Sequence, residues 1–501
     1  MKMASTNHHR ALAWLLPVPW VFGVAHVVAI VGWGVRPVLL WTDALIYLLA
    51  FAFAVTGWVM SGQEHLRDPW RHVRRSKMGM ATLVVLGAYA TVAVVDSVHF
   101  RKPLEQRTAS LEMQFAGETL SLLDVVLTTL REQGEKTYSA PFATQQFEKE
   151  TVELATGGRE RIYPRLNYGG AHLSQPEKEM IGDVVVTAAR GAAVAVLIWL
   201  VSAVLLIAAL EQPDVGWVGT ARRLLRGQFD TPWRTVLVTG GIILLAVAVT
   251  ASMAPKYHVL GTDKVGGDLL YQSLKSVRTG LVLGTLTTLI MLPFAVFLGV
   301  SAGYFKGWID DVIQYTYTTL SSIPSVLLIA AAVLTLQVYM ANHPELFETD
   351  AERADVRLFF LCVILGITNW TGLCRLLRGE ALKLRELDYV QSARAFGATH
   401  WRVLMRHVIP NVMHLVLISV VLEFSGLVLA EAVLSYVGVG VDPSMHSWGN
   451  MINSARLEMA REPMVWWSLT AAFAFMFVLV LAANLFADVV RDAFDPRIRK
   501  Q

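Results

Sequence analysis

The stretch Tyr389-Val390-Gln391-Ser392-Ala393-Arg394-Ala395-Phe396-Gly397-Ala398-Thr399-His400-Trp401-Arg402-Val403-Leu404-Met405-Arg406-His407-Val408-Ile409-Pro410-Asn411 is a basic, polar island between two hydrophobic segments, residues 356–376 and 411–434. A loop of this length holds two short helices at a membrane surface, which is the form of a docking device. Trp401, Leu404, Met405 and Val408 recur at i, i+3, i+4, i+7, so the spacing predicts an amphipathic helix with these four on one face and Arg402 and Arg406 on another. Gly397 separates it from a preceding helical segment, Gln391 to Phe396, as suits a residue that takes positive φ where a helix ends and turns. Pro410 marks the start of the next span. Taken alone, these residues also fit an ordinary positively charged cytoplasmic loop.

Composition places that loop in a membrane protein. Hydrophobic residues make up 54% of the 501 and charged residues 17%, and the mean hydropathy of +0.48 is well above that of a soluble domain. The net charge of +3 is mild and its basic residues cluster in loops, which speaks for topology and lipid contact rather than for nucleic acid. Stretches near the bilayer-spanning length of about 20 residues fall at 11–33, 39–60, 79–97, 190–211, 235–254, 279–303, 320–340, 356–376, 411–434 and 464–488, ten spans in all. The first is too long, and too poor in small residues where cleavage would occur, to read as a removed signal peptide. Cys362 and Cys374 lie twelve apart on one hydrophobic segment, roughly 18 Å along a helix, too far for a disulfide.

Lysine and arginine bias gives the orientation. Arg67, Arg71, Arg74, Arg75 and Lys77 lie between spans two and three, and Arg222, Arg223, Arg226 and Arg234 between spans four and five. Arg375, Arg378, Lys383, Arg385, Arg394, Arg402 and Arg406 lie between spans eight and nine, and Arg491, Arg497, Arg499 and Lys500 follow span ten. All four clusters share one side if both termini are cytoplasmic, and the docking loop is then cytoplasmic too.

The spacing of the loop resembles the EAA loop of ABC importer permeases, in which a Glu-Ala-Ala triplet is followed by a glycine and an apolar-x-apolar-Pro ending. Here the triplet is Gln391-Ser392-Ala393, the glycine is Gly397 and the ending is His407-Val408-Ile409-Pro410. Arg406-His407-Val408-Ile409-Pro410-Asn411 resembles the form of the dipeptide and oligopeptide branch. Three further matches follow that branch in order. They are Leu260-Gly261-Thr262-Asp263 with Gly266, Asp268 and Arg278; Glu431 to Gly440 with Ser447-Trp448-Gly449-Asn450-Met451; and Asn484-Leu485-Phe486-Ala487-Asp488 running into Arg491-Asp492-Ala493-Phe494-Asp495-Pro496-Arg497. The departures are Gly267 where an arginine is usual and Ala487 where a glycine is usual.

The resemblance implies an all-α polytopic protein whose C-terminal six spans, within 235–501, form a type I ABC importer permease core. A linker at 215–234 joins it to an N-terminal extension, 1–214, of four spans plus a polar segment at about 98–186. Charges, Gly157-Gly158, Gly169-Gly170 and a modest apolar pattern from Leu120 to Leu130 suggest that this segment is a small extracytoplasmic domain of helices and loops. It reads either as a scaffold that widens the contact with a partner subunit or as a part with a specific role, such as receiving a solute-binding protein or regulating the pore.

No Gly-Lys pair occurs, so the phosphate-cradling loop of an ATPase is absent, and ATP and Mg are expected on partner subunits. No His-Glu-x-x-His metal site, Gly-x-Ser-x-Gly nucleophile turn or zinc-spaced cysteine pair is expected either, so the chain carries no catalytic, cofactor or metal residues. Gln391, Ser392, Ala393, Arg394, Gly397, Arg402, Arg406 and Pro410 are the expected coupling residues, with Ala393 and Gly397 permitting close approach. Glu423 and Glu431, eight apart and read as sharing a helical face, are the candidates for the translocation pathway, because a carboxylate in lipid is costly unless it faces a cavity or partner. For Glu431 a structural hydrogen bond near the membrane edge is the favoured alternative. His26 and His414 read as packing residues.

The function expected is therefore a permease subunit for peptides or related small solutes, in the bacterial inner membrane. Its expected companions are ABC ATPase subunits, a second homologous permease and an extracytoplasmic solute-binding protein. A receptor whose 98–186 segment senses a ligand is the other reading, and a passive channel is disfavoured by the coupling loop. Peptides, nickel and other solutes share one permease pattern, so the substrate is not legible.

Overall fold

A computed structural model describes residues 35–61, 64–103, 115–153, 159–211, 215–347 and 349–494. The expected span at 11–33 with His26, the Gly157-Gly158 pair, and Asp495, Pro496, Arg497, Arg499 and Lys500 lie outside the described residues, as does the side chain of Arg67. The chain runs β1 (Arg36–Val38), α1 (Trp41–Ser61), α2 (Glu64–Arg75), α3 (Lys77–Asp96), β2 (His99–Arg101), β3 (Leu120–Ser121), α4 (Leu122–Val126), α5 (Thr128–Glu132), β4 (Glu150–Glu153) and β5 (Arg159–Ile162). It continues through α6 (Pro176–Ala209), α7 (Gly216–Arg226), α8 (Trp233–Met253), α9 (Leu269–Phe305), α10 (Trp308–Ser322), α11 (Ser325–Asn342), α12 (Asp350–Arg385), α13 (Asp388–Ala395), α14 (His400–Val403), α15 (Ile409–Tyr436), α16 (Trp448–Glu458) and α17 (Trp467–Phe494).

The fold is all-α in substance. Among the described residues eight helices are long and apolar enough to cross a membrane: α3, α6, α8, α9, α11, α12, the continuous run α14–α15, and α17. The expected span at 39–60 is α1, whose described apolar stretch, Trp41–Phe51, is shorter than a crossing. Local chemistry sets several starts. Ser76 accepts from the Gly79 N–H ahead of α3, Asp268 from the Leu270 and Tyr271 N–H groups ahead of α9, and Thr349 from the Glu352 N–H ahead of α12.

The 98–186 segment is not made of helices and loops alone. β2 pairs antiparallel with β1 and β3, and β4 with β5, in two small sheets. Its last residues belong to α6, which begins at Pro176 rather than near 190, with proline at the helix start where a missing N–H costs nothing. At 34 residues α6 is about 50 Å long, so its first turns stand outside a hydrocarbon core about 30 Å thick.

The tightest crossing joins α9 to α12. A Cβ on Gly299 would lie 2.7 Å from the Cys374 carbonyl, and one on Gly303 would lie 2.5 Å from that of Arg378. Small residues four apart let two membrane helices approach this closely. Ile329 and Val333 of α11 pack with Leu358, Leu361, Cys362 and Leu365 of α12. Both cysteines are buried and free.

Helix α3 packs into this core from the other side. Its Ala93 joins a cluster with Val277, Val428, Trp448 and Ala472, its Tyr89 hydroxyl donates to the Phe475 carbonyl at 2.9 Å, and the Tyr89 ring meets Trp448 edge-on. Helix α8 instead pairs with α6. Gly191 of α6 lies against the backbone of Ala248 and Val249, Gly241 of α8 lies against the Trp199 indole, and Trp199 Nε1 donates to the Leu237 carbonyl at 2.8 Å. Helix α3 thus shares the interior of the later spans, while α8 packs with α6 and also against α3.

Candidate functional site

The polar island forms two short helices joined at a turn. α13 ends as Gly397 adopts φ +81°, with the Gly397 N–H donating to Arg394 O at 2.9 Å and the Ala398 N–H to Ala393 O at 3.1 Å. That pattern closes a helix through a left-handed residue. No described atom of this chain lies within 4 Å of a Cβ built on Gly397, so within the chain the site requires glycine for its backbone angle. Thr399 starts α14 by accepting from the Arg402 N–H. A π turn, Leu404–Val408, then runs into α15 with Pro410 in its first turn.

Val390, Val403, Leu404 and Val408 are buried beside Leu377, Ala381 and Leu384 of α12, and they root the loop in the bundle. Of the four residues expected on one apolar face, Leu404 and Val408 are buried, but Trp401 and Met405 are exposed, the Trp401 ring stacking on Phe297. The π turn advances the helix by about one residue relative to a 3.6 period and so breaks the expected face. Gln391, Ser392, Arg394, Gly397, Arg402, Arg406 and Pro410 are exposed, while Ala393 is half-buried against the core. Among the described residues Arg394, Arg402 and Arg406 make no ion pair. Phe396 is 91% exposed at the apex, an apolar side chain that the sequence reading did not single out. A cleft of about 540 Å³ lined by Gln391, Arg394, Ala395, Ala398 and His400 runs beside it.

The loop is clamped to the ends of the spans. Arg378 makes a two-pronged bridge to Asp310, Nε to Oδ1 at 2.6 Å and Nη2 to Oδ2 at 2.8 Å. Arg385 Nη1 donates to the Tyr304 carbonyl at 2.8 Å, the Tyr304 hydroxyl meets His400 Nδ1 at 2.9 Å, and Lys306 Nζ meets Glu386 at 3.0 Å. The Lys306 ammonium holds the Glu386 carboxyl below its usual range. The ends of α9 and α12 and the loop are therefore tied to one another.

The two pathway candidates occupy different environments. Glu431 is 2% exposed, accepts from the Ser435 hydroxyl at 2.8 Å, and leaves no room for a Cβ on Gly449, which would lie 2.5 Å from its Oε1. Glu423 is half-buried and makes no hydrogen bond among the described residues. Eight residues along a helix turn about 80°, so the two do not share a face. A cavity of about 370 Å³ opens at the break between α10 and α11, lined by Ser321, Ser322, Pro324, Ser325, Thr368 and Asn369 among others. His414 is half-buried, with Nδ1 at 2.8 Å from the Asn411 carbonyl.

The other sequence signatures carry structure. Gly261 and Gly266 take positive φ where the backbone at Ser139 and Glu135 presses against them. Trp448 Nε1 donates to the Ser273 carbonyl, and Asn484 accepts from the Ser425 hydroxyl at 2.7 Å. At the usual arginine position, the Gly267 N–H donates to Asp263 Oδ1 at 2.8 Å. Ala487 is buried. A Gly-x-Ser-x-Gly string does occur, at Gly299–Gly303, against the expectation of none. It lies inside α9, where its glycines serve the crossing with α12, and is not a nucleophile turn.

Comparison with known proteins agrees with this arrangement. Residues 295–500 match the family of binding-protein-dependent transport system inner membrane components. The glutathione transport system permease protein of Pectobacterium atrosepticum is 30% identical over 299 residues, covering 54% of this chain and 92% of that protein. The oligopeptide transport system permease protein of Mycobacterium tuberculosis is 29% identical over 242 residues, covering 48% and 77%. The dipeptide transport system permease protein of Bacillus subtilis is 28% identical over 243 residues, covering 48% and 70%.

Proposed function

This chain belongs to the binding-protein-dependent inner membrane components, the permease subunits of ABC importers, and we propose that it carries peptides or related small solutes through a pathway driven from residues 388–408. The observation that carries this reading is the clamped loop. A docking helix with an exposed apex at Phe396, rooted in α12 and α15 and bridged to α9, transmits a displacement to three spans at once.

In this reading ATPase subunits hold ATP and Mg, and their closure pushes on Gln391, Ser392, Arg394 and Phe396. The spans then rock between two packings, so that the pathway opens to alternate sides. Ala393 packs inward, Gly397 sets the turn, and Arg402, Arg406 and Pro410 flank the contact. A second permease of the same family completes the pore, a solute-binding protein delivers the substrate from outside, and both termini are cytoplasmic. The uncharged hydroxyl and amide wall at the α10–α11 break and Glu423 line the pathway, whereas Glu431 holds the turn before α16. Peptides, whose ends and amide groups need hydrogen-bond partners, suit such a wall.

Co-purification and transport in reconstituted vesicles test the reading. Gly397→Leu, which cannot hold φ +81° without strain, is expected to insert normally and yet lose ATPase subunits or uncouple hydrolysis from uptake. Retention of full uptake by that variant would exclude the loop as the coupling element.

A further inference from the structure

Helix α7, Gly216–Arg226, lies between two spans, α6 ending at Ala209 and α8 beginning at Trp233. Only a few residues separate each of its ends from a span, which keeps α7 close to the membrane boundary. At 100° per residue, Trp217, Val218, Ala221, Leu224 and Leu225 fall within an arc of about 120°, and Arg222, Arg223 and Arg226 occupy the opposite arc. Only one edge of the apolar arc is covered by protein, at Thr220 and Leu224. The rest is bare: Trp217 is 46% exposed, Val218 70% and Leu225 72%.

On the flanking spans, Leu197, Val201 and Leu205 of α6 and Val238, Ile242 and Leu245 of α8 are exposed as well. The arginines extend into a wider basic belt. Arg234 Nη1 reaches the Leu225 carbonyl at the end of α7, and Arg75 of α2 bridges to Asp230 just beyond it at 3.2 Å. Arg71, Arg74 and Lys77 stand exposed around that bridge. This belt shares an end of the bundle with the docking loop. Val73 of α2 packs with Val490 and Phe494 at the C-terminal end of α17, together with Leu417, which follows the docking loop by two turns of α15.

We propose that α7 is an in-plane membrane anchor, its Val218–Leu225 face sunk among acyl chains and Arg222, Arg223 and Arg226 bound to the phosphates of anionic phospholipids. An amphipathic helix with arginine opposite aliphatic and tryptophan side chains is suited to the headgroup boundary, and each basic residue there adds about 1 kcal/mol of attraction to an anionic leaflet. Naming that leaflet cytoplasmic rests on the docking reading above, whereas the lipid preference does not.

The test uses the full chain in nanodiscs. Because Cys362 and Cys374 are buried, Val218→Cys offers a single accessible thiol for an environment-sensitive fluorophore. Its emission is expected to shift to the blue and to be quenched by acyl-chain spin-labelled lipid rather than by iodide in water. Competition between phosphatidylglycerol and phosphatidylcholine, read by native mass spectrometry of the released chain, is expected to favour the anionic lipid. Arg222→Gln, Arg223→Gln and Arg226→Gln together should cut that preference on the order of a hundredfold, while the three Arg→Lys changes keep it within a few-fold. Should the glutamine variant fail to fold, a salt titration of the unmodified chain replaces it, with the preference eroding as ionic strength rises. Equal retention of the two lipids, or quenching by iodide, would overturn the proposal. So would shielding of the label only after ATPase subunits are added, which would make α7 a protein contact.

Discussion

Helix α3 and the two helices of the α6–α8 hairpin are all apolar enough to cross a membrane, yet they live differently. In α3, 22% of the apolar stretch is buried, against 6% in each of α6 and α8, while α9 and α12 at the centre reach 44%. Hydropathy reports the solvent and not the neighbours. Between membrane helices no hydrophobic force selects partners, so small residues and stray hydrogen bonds do. α3 spends Gly79 and Tyr89 on the core, against Val489 and on Phe475, whereas the hairpin spends Gly191, Gly241 and Trp199 on itself. The contrast teaches that small residues and single hydrogen bonds, rather than apolarity, decide which spans pack together.

The largest expected effect breaks or keeps that contrast outright. The Gly170 N–H donates to the Lys256 carbonyl at 2.8 Å, so the chain enters and leaves the hairpin at adjacent points. Excision of residues 174–253 with a short glycine-serine linker should leave a monodisperse membrane protein by size-exclusion chromatography. Deletion of α1 to α3 should leave none. Aggregation of the hairpin-less chain would mean that the hairpin is part of the core.

The next effect compares two ion pairs. Arg278 of α9 is buried with its Nη2 2.6 Å from Asp43 of α1 and 3.5 Å from Asp355 of α12, and Thr42 and His99 complete the cluster. Arg278→Gln strands two buried carboxylates and should cost about 3–5 kcal/mol, seen as a large fall in thermal stability. Arg75→Gln, at the exposed bridge to Asp230 beside the hairpin, should cost no more than about 1 kcal/mol. Comparable losses at the two sites would erase the distinction.

Glycines sharpen it further. A leucine at Gly303 drives a side chain into the Arg378 carbonyl of α12, and about 3 kcal/mol of overpacking is expected. At Gly240 of α8 no atom lies within 4 Å of the added Cβ, so Gly240→Leu should change the melting temperature little. A melting scan of the two purified variants decides, and equal tolerance would place the α9–α12 crossing on the same footing as the rim.

Much of this was legible in the sequence because the determinants are local. Gly397, Thr399 and Pro410 act within a few residues of themselves, and the spans announce themselves by composition. What stayed hidden depends on distant partners or on phase. β2 pairs with β1 across three intervening helices, and nothing local to His99–Arg101 signals that partner. The π turn at Leu404–Val408 moved Trp401 and Met405 off the predicted face, and Phe396 was passed over because a lone apolar residue in a polar loop has no period. Glu423 and Glu431 were joined by a spacing of eight that misses a whole number of turns.

The smallest effect lies in the loop between α8 and α9. His258 is buried there, Nδ1 at 2.8 Å from Asp268 and Nε2 at 3.6 Å from Glu135. Burial opposes its charged form, but the two carboxylates outweigh it and hold the imidazole up at about 9. Burial likewise raises Glu135, but His258 and the backbone N–H groups of Asn167, Tyr168 and Gly169 outweigh it and hold the carboxyl below its usual range. The signs follow from linkage. His258 binds its proton more tightly folded than unfolded, so its stabilisation is complete below about pH 6.5 and is lost as pH rises through about 9. Glu135 works in the opposite sense and loses its contribution only as pH falls below its unfolded value of about 4.5. Limited proteolysis within residues 254–268 should therefore quicken between pH 6.5 and 9, reflecting on the order of 2 kcal/mol of local grip. In His258→Gln the cutting should be fast at pH 6.5 and flat with pH. Parallel profiles for the two proteins would show that the loop is held by its backbone, through Glu135 and the Thr262 hydroxyl bond to Ser139, and that charge contributes nothing to the joint.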